Sequence, residues 1–68
     1  MLEALTDRQR EVLAMATGMG YYDEGSDVRV EDIAEEIGLA GTTTWEHLSR
    51  AEEKVMAEVG EYLAARGH

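Results

Sequence analysis

An all-α fold of three helices, the third much the longest, is predicted by three observations. Val30, Ile33, Ala34 and Ile37 recur at three- to four-residue spacing, as one buried helix face does. Gly38 follows the last of them, where a helix wants a residue that tolerates a left-handed backbone. A second periodic run opens by Thr42, with Thr44, Leu48, Ala51 and Val55 on one face. Two helices joined by a three- or four-residue turn containing glycine form the helix-turn-helix pattern, whose second helix normally enters the major groove of DNA. The expected architecture is a single helix-turn-helix domain over residues 1–68, with helices at about 6–19, 31–37 and 42–65.

The first helix opens at Thr6. Thr6-Asp7-Arg8-Gln9 has the capping-box form, in which the threonine hydroxyl takes the amide of the third helical residue and Gln9 reaches back. Asp7 places negative charge where the helix dipole favours it. Leu5, Val12, Leu13, Met15, Ala16 and Met19 supply the apolar stripe, and Gly18 and Gly20 end the helix. Gly18-x-Gly20 is no nucleotide loop, because no strand precedes it and no third glycine follows at the required spacing.

Tyr21 and Tyr22 lead into an acidic loop, Asp23-Glu24-Gly25-Ser26-Asp27. One ring is expected to cover the small core and the other to shield it, with stacking on bases as the alternative. Asp23, Asp27, Glu31 and Asp32 lack the alternating D-x-D-x-D-G pattern of a calcium loop, so a solvated acidic loop is expected, with no metal and no cofactor. The second helix turns Glu31, Asp32, Glu35 and Glu36 outward. Leu39 lies in the following turn and can plug the angle between helices two and three.

The third helix meets no breaker except Gly60, so it can span about 23 residues, or roughly 35 Å. A three-helix core needs about half of that. Beyond the core, Val55, Met56, Val59, Tyr62 and Leu63 approximate a heptad seam. Two readings are open for them: folding back on Leu2 and Leu5, or pairing in a homodimer. A 68-residue chain without cysteine has a thin core and no disulfide or thiolate metal site, which favours the homodimer. No apolar run approaches the length of a membrane span and the N-terminus is unlike a signal, so a cytoplasmic protein with no membrane partner is expected.

Charge bears on the partner. Fifteen acidic residues against six basic ones give −9, whereas DNA-binding domains usually carry a basic face. Either the domain does not bind DNA, or it works in a salty cytoplasm. At about 1 M salt the Debye length is roughly 3 Å, so only charges in contact matter. A single lysine, no proline and abundant Asp and Glu fit a halophile's surface.

Longer stretches carry a family resemblance. Leu5-Thr6-Asp7-Arg8-Gln9-Arg10-Glu11-Val12-Leu13, Gly20-Tyr21-Tyr22-Asp23, Ile33-Ala34-Glu35-Glu36-Ile37-Gly38 and Glu46-His47-Leu48-x-Arg50-Ala51-Glu52-Glu53-Lys54 occur in this order. Together they resemble the helix-turn-helix domain of bacterio-opsin-activator-like regulators of halophilic archaea, over about residues 5–59. The resemblance implies transcription regulation through sequence-specific DNA binding in a high-salt archaeal cytoplasm. Members commonly carry sensor domains ahead of this module, so the chain is expected to be part of a longer regulator or a short stand-alone member. Ala40 and Gly41 stand where the family tends to have Ser and Lys, Ser49 where a second Arg is frequent, and Thr44 where an aliphatic is usual. The cap of the third helix is therefore expected from Thr42 or Thr43. The buried Thr44 hydroxyl is expected to bond to a carbonyl one turn earlier.

At 100° per residue, the face of helix three opposite Leu48 and Ala51 presents Thr42, Thr43, Glu46, Ser49, Arg50 and Glu53. Arg50 can grip guanine O6 and N7 together, or a phosphate. Thr42 and Thr43 suit a phosphate or a thymine methyl, and Glu46 can accept from a cytosine amine or pair with Arg50 on the surface. His47 lies at the edge of the face, and Trp45 is expected to flank the core as a packing or interface anchor. Arg8 and Arg10 either clamp the DNA backbone or balance neighbouring carboxylates. No Ser/His/Asp, Cys/His or metal cluster is present, so no enzymatic activity is expected. The alternative is a helix-turn-helix module that has lost DNA contact and acts by dimerising or by binding another transcription regulator.

Overall fold

The computed structural model describes residues 4–66, and within them the chain forms α1 (Asp7–Gly18), α2 (Val30–Ile37) and α3 (Gly41–Arg66). The all-α expectation holds.

Thr6 caps α1 with both halves of the box in place. The Gln9 amide donates to Thr6 Oγ1 at 3.1 Å, and the Thr6 amide donates to Gln9 Oε1 at 3.1 Å. At the other end, Gly20 takes φ +84, and the Tyr21 amide reaches back to the Ala16 carbonyl at 2.9 Å. The Gly18-x-Gly20 pair is thus a helix terminus. Asp32 is more than an outward acid, because its carboxylate accepts the Arg29 amide at 2.9 Å and fastens the start of α2.

Gly38 adopts the left-handed conformation, φ 79 and ψ 32, and the amides of Gly38 and Leu39 both donate to the Ala34 carbonyl. This turns the chain sharply into α3 and points Leu39 at the core, as expected. The helical cap of α3 is a correction. The helix begins at Gly41, so Thr42 and Thr43 already lie inside its first turn and the residue ahead is Ala40. The Ala40 carbonyl accepts both the Thr44 amide and the Thr44 hydroxyl, each at 2.9 Å. The back-bonded hydroxyl expected of Thr44 is therefore present, in a residue with no solvent exposure.

Val12, Ala16, Ile33 and Leu48 form the centre of the core, with Leu13, Met15, Met19, Tyr21, Val28, Val30, Ile37 and Leu39 packed around it. Full burial of each larger aliphatic contributes about 1.5–3 kcal/mol. Ala16, Ala34 and Ala51 let the helices approach but add little area, so this core is thin. Gln9 is also buried, a position absent from the expected apolar stripe. It accepts a hydrogen bond from Lys54 Nζ at 2.8 Å, and the same ammonium donates to the Ala4 carbonyl at 2.9 Å.

Beyond Lys54, α3 leaves the core. Its 26 residues make a rod of about 39 Å, close to the molecule's longest extent of 43 Å. Tyr62 and Leu63 are more than half exposed on this projection, so they do not fold back on Leu5. Leu2, the other half of that alternative, lies outside the described residues. Among the described residues no helix is long and apolar enough to cross a membrane.

Candidate nucleic-acid interface

One helix, α3, carries the expected base-contact residues Thr42, Thr43, Glu46, His47 and Arg50. Thr44, Leu48 and Ala51 anchor the first half of α3 with 0%, 2% and 0% exposure. The period of 3.6 residues then turns Thr42, Glu46, Arg50 and Glu53 outward, and all four are exposed. Thr43, His47 and Ser49 are half-buried along the margins. The structure thus gathers Thr42, Thr43, Glu46 and Arg50 on one convex surface, with His47 at its edge. Among the described residues Glu46 and Arg50 form no ion pair, leaving the guanidinium uncommitted to that neighbour.

Three of the other cations are engaged within the fold, while Arg29 stands exposed ahead of α2. Arg8 pairs with Glu11 at 2.9 Å and Arg10 with Asp7 at 3.5 Å, each one turn away on α1. Lys54, the chain's one lysine, turns inward to Gln9 and Ala4. The α2 face presents Glu31, Glu35 and Glu36 to solvent. Arg50 is therefore the cation on the exposed first half of α3, with Glu46 and Glu53 one turn to either side.

Trp45 is not the packing anchor that was one of its two expected roles. It is 58% exposed and belongs to no part of the core. On the helical wheel it stands roughly 60° from Leu48, at the boundary where periodicity assigns neither face. The pair Tyr21 and Tyr22 behaves as read: Tyr21 packs on the core, and Tyr22 meets it edge-on at 4.9 Å while remaining 46% exposed. The Tyr22 hydroxyl donates to the Glu52 carboxylate, tying the acidic loop to α3. Burial, and then the bond to Glu52, push the Tyr22 phenol above its ordinary range.

Below Glu52 the character of α3 changes. Val55 and Val59 are half-buried, and Met56, Tyr62 and Leu63 are exposed at 62%, 54% and 61%. Val55 and Met56 also line an apolar groove of about 230 Å³ with Leu13, Thr17, Tyr22 and Glu52. At the far end the Arg66 guanidinium sits 5.3 Å from the Tyr62 ring centroid. Among the described residues no cluster of His, Cys, Asp or Glu could hold a metal ion.

This geometry has sequence relatives. Residues 5–57 match the family described as the HTH DNA binding domain. The chain belongs to that family. This HTH domain is of the bacterio-opsin activator type, as the motif order implied. Its HTH relatives include the transcriptional regulator NarO of Haloferax volcanii, 37% identical over 54 residues. A second, provisionally named transcriptional regulator of the same organism is 38% identical over 52 residues. The two alignments take in 79% and 76% of this chain but only 26% and 9% of those proteins. The chain therefore spans about a quarter of one relative's length and about a tenth of the other's. No solved structure matches it.

Proposed function

We propose that this domain is the DNA-reading part of a transcription regulator, using the first half of α3 as its recognition helix. The observation that carries the reading is the exposed Thr42–Glu46–Arg50 surface, held rigid by fully buried Thr44, Leu48 and Ala51 in a chain of the HTH DNA-binding family. Arg50 reads a guanine or holds a phosphate, Thr42 and Thr43 contact a phosphate or a thymine methyl, and Glu46 accepts from a cytosine amine. His47 borders that contact. The domain acts as a homodimer through Val55, Met56, Val59, Tyr62 and Leu63, because a thin core leaves these apolar side chains on a projecting rod.

A net charge of −9 supports a cytoplasm of high salt as the setting for this activity, where acidic α2 and the DNA backbone repel only at contact range. With Arg50 the cation on the reading surface, binding releases few counterions and its salt dependence is shallow. The same charge favours a second reading, in which α3 pairs with another transcription regulator and touches no DNA.

Selection from a random duplex pool at molar potassium chloride separates the two readings. Enrichment of a two-fold-symmetric site that the Arg50→Ala variant loses is the expected result. No enrichment by the intact protein at molar or at low salt would leave the pairing module as the function.

A further inference from the structure

The folded domain spends nothing on Trp45, the chain's single tryptophan. Its indole is 58% exposed although the core beside it is short of large side chains. It is also remote from the apolar end of α3: eleven residues separate it from Met56, about 16 Å along the rod. It lines neither the apolar groove at Leu13 and Val55 nor the dimer seam proposed above. It stands instead next to Glu46 and one turn from Thr42 and Ser49, on the flank of the exposed reading surface.

From this placement we infer that Trp45 is a DNA-contact residue, packing its ring against an apolar edge of the major groove. This rests on the DNA-reading function proposed above. A recognition helix touches base edges with its N-terminal residues, and its flanks meet the groove walls. On the flank, an indole reaches deoxyribose carbons or a thymine methyl, while its N–H can donate to a phosphate. Charge gives the reason for such a contact here. Arg8, Arg10 and Lys54 are engaged within the fold, Arg50 stands between two glutamates, and the exposed Arg29 ahead of α2 is followed by Glu31, Glu35 and Glu36 on the solvent face. An interface poor in cations must gain affinity from surface removed from water, and an indole offers on the order of 200 Å². Salt that screens ionic contacts leaves that contribution standing.

Trp45 is its own reporter. The intact protein is titrated at molar potassium chloride with the duplex recovered by selection, following tryptophan emission. Emission should change saturably, in step with binding measured independently. Trp45→Ala should weaken binding by roughly ten- to a hundredfold, as loss of a buried aromatic anchor does. Trp45→Phe should recover much of that, and the slope of affinity against salt should stay unchanged because no cation is lost. Replacing thymine by uracil across the site, in the parent and in Trp45→Ala, assigns the contact: a loss in the parent that the variant does not show marks the methyl, and an equal effect on both marks the sugar. If duplex binds while emission stays still and Trp45→Ala binds as tightly, the indole is idle and this inference is overturned. Dissociation of a DNA-free dimer by Trp45→Ala would also overturn it, by giving the ring to a protein contact. Failure of the intact protein to bind any duplex removes the DNA reading itself, and the indole's role with it.

Discussion

The Lys54 ammonium and the Gln9 side chain meet at 2.8 Å, joining the middle of α3 to the first turn of α1. Gln9 Oε1 thus accepts from two directions, from Lys54 and from the Thr6 amide that opens the helix. The capping box and the packing of α3 are therefore one connected network. Lys54→Met keeps the aliphatic stem and removes the donors, and should destabilise the fold by about 1–2 kcal/mol. Gln9→Leu should cost a similar amount. The double variant should cost clearly less than the two singles together, because both remove the same bond. Urea unfolding checks this, and strict additivity would show the contact to be idle.

Thr44 makes the opposite case, a buried polar group the fold can lose. Its hydroxyl shares the Ala40 carbonyl with its own amide, so removing the hydroxyl leaves that carbonyl satisfied. Thr44→Val should keep the shape and raise stability by up to about 1 kcal/mol. Thr44→Ala leaves a void beside Leu48 and should lower stability by about 1–2 kcal/mol. A urea midpoint for the valine variant well below that of the parent would contradict this account.

These two residues mark what the sequence makes legible. Local rules suffice for the Thr6 box, the left-handed Gly38 and the Thr44 hydroxyl, since each partner lies within four residues of the side chain that needs it. Lys54 and Gln9 are distant in sequence, and no local rule joins them. Once they meet, Gln9 is buried and the lysine is half-buried where a fully solvated cation is expected. Gly41 opens α3 without a capping side chain, so the boundary leaves no mark in residue type. The exposure of Thr42, Glu46 and Arg50 follows from periodicity alone. Trp45 stands where that periodicity changes sign, and only packing decides its side.

Tyr22 gives a pH dependence with a definite sign. Burial and the Glu52 bond raise the phenol above its ordinary range in the native state, while an unfolded tyrosine ionises near pH 10. The native protein holds this proton where the unfolded chain releases it. The resulting stability is complete below about pH 10 and fades as pH rises toward the native value. With Tyr22 46% exposed, solvent screening keeps the effect small. The stability difference between parent and Tyr22→Phe should stay constant up to about pH 9 and shrink above pH 10. Urea midpoints measured in parallel at several alkaline pH values test this, and a gap that widens with pH would refute it.

Gly60 weakens a helix that runs on through it unbroken. A Cβ built there would meet nothing within 4 Å, and the backbone stays helical through it. Gly60→Ala should therefore stabilise the far end of α3 by about 0.5–1 kcal/mol. Helical ellipticity should rise and the rod should fray at higher temperature. A fall in either would mean that the glycine accommodates a close partner.

The apolar end of α3 predicts an association state. Met56→Glu with Leu63→Glu places charge on two exposed side chains, so the monomer fold should survive. Sedimentation should show a dimer for the parent and a monomer for the variant, with the variant's α1–α2 core intact by near-ultraviolet dichroism. A monomeric parent at high protein concentration would reject pairing through this helix.

The proposed reading and pairing surfaces lie on one unbroken helix, and this makes residue count an angular setting. Inserting a single residue after Arg50 would rotate everything beyond it by about 100° and advance it by about 1.5 Å. In a symmetric pair, both reading surfaces would then swing out of phase with the DNA's own helical repeat. The tolerated insertions are those that nearly restore a whole number of helical turns. In the proposed dimer, the distance between the two halves of a target site is thus written into the protein as a stretch of α3, rather than left to a flexible joint.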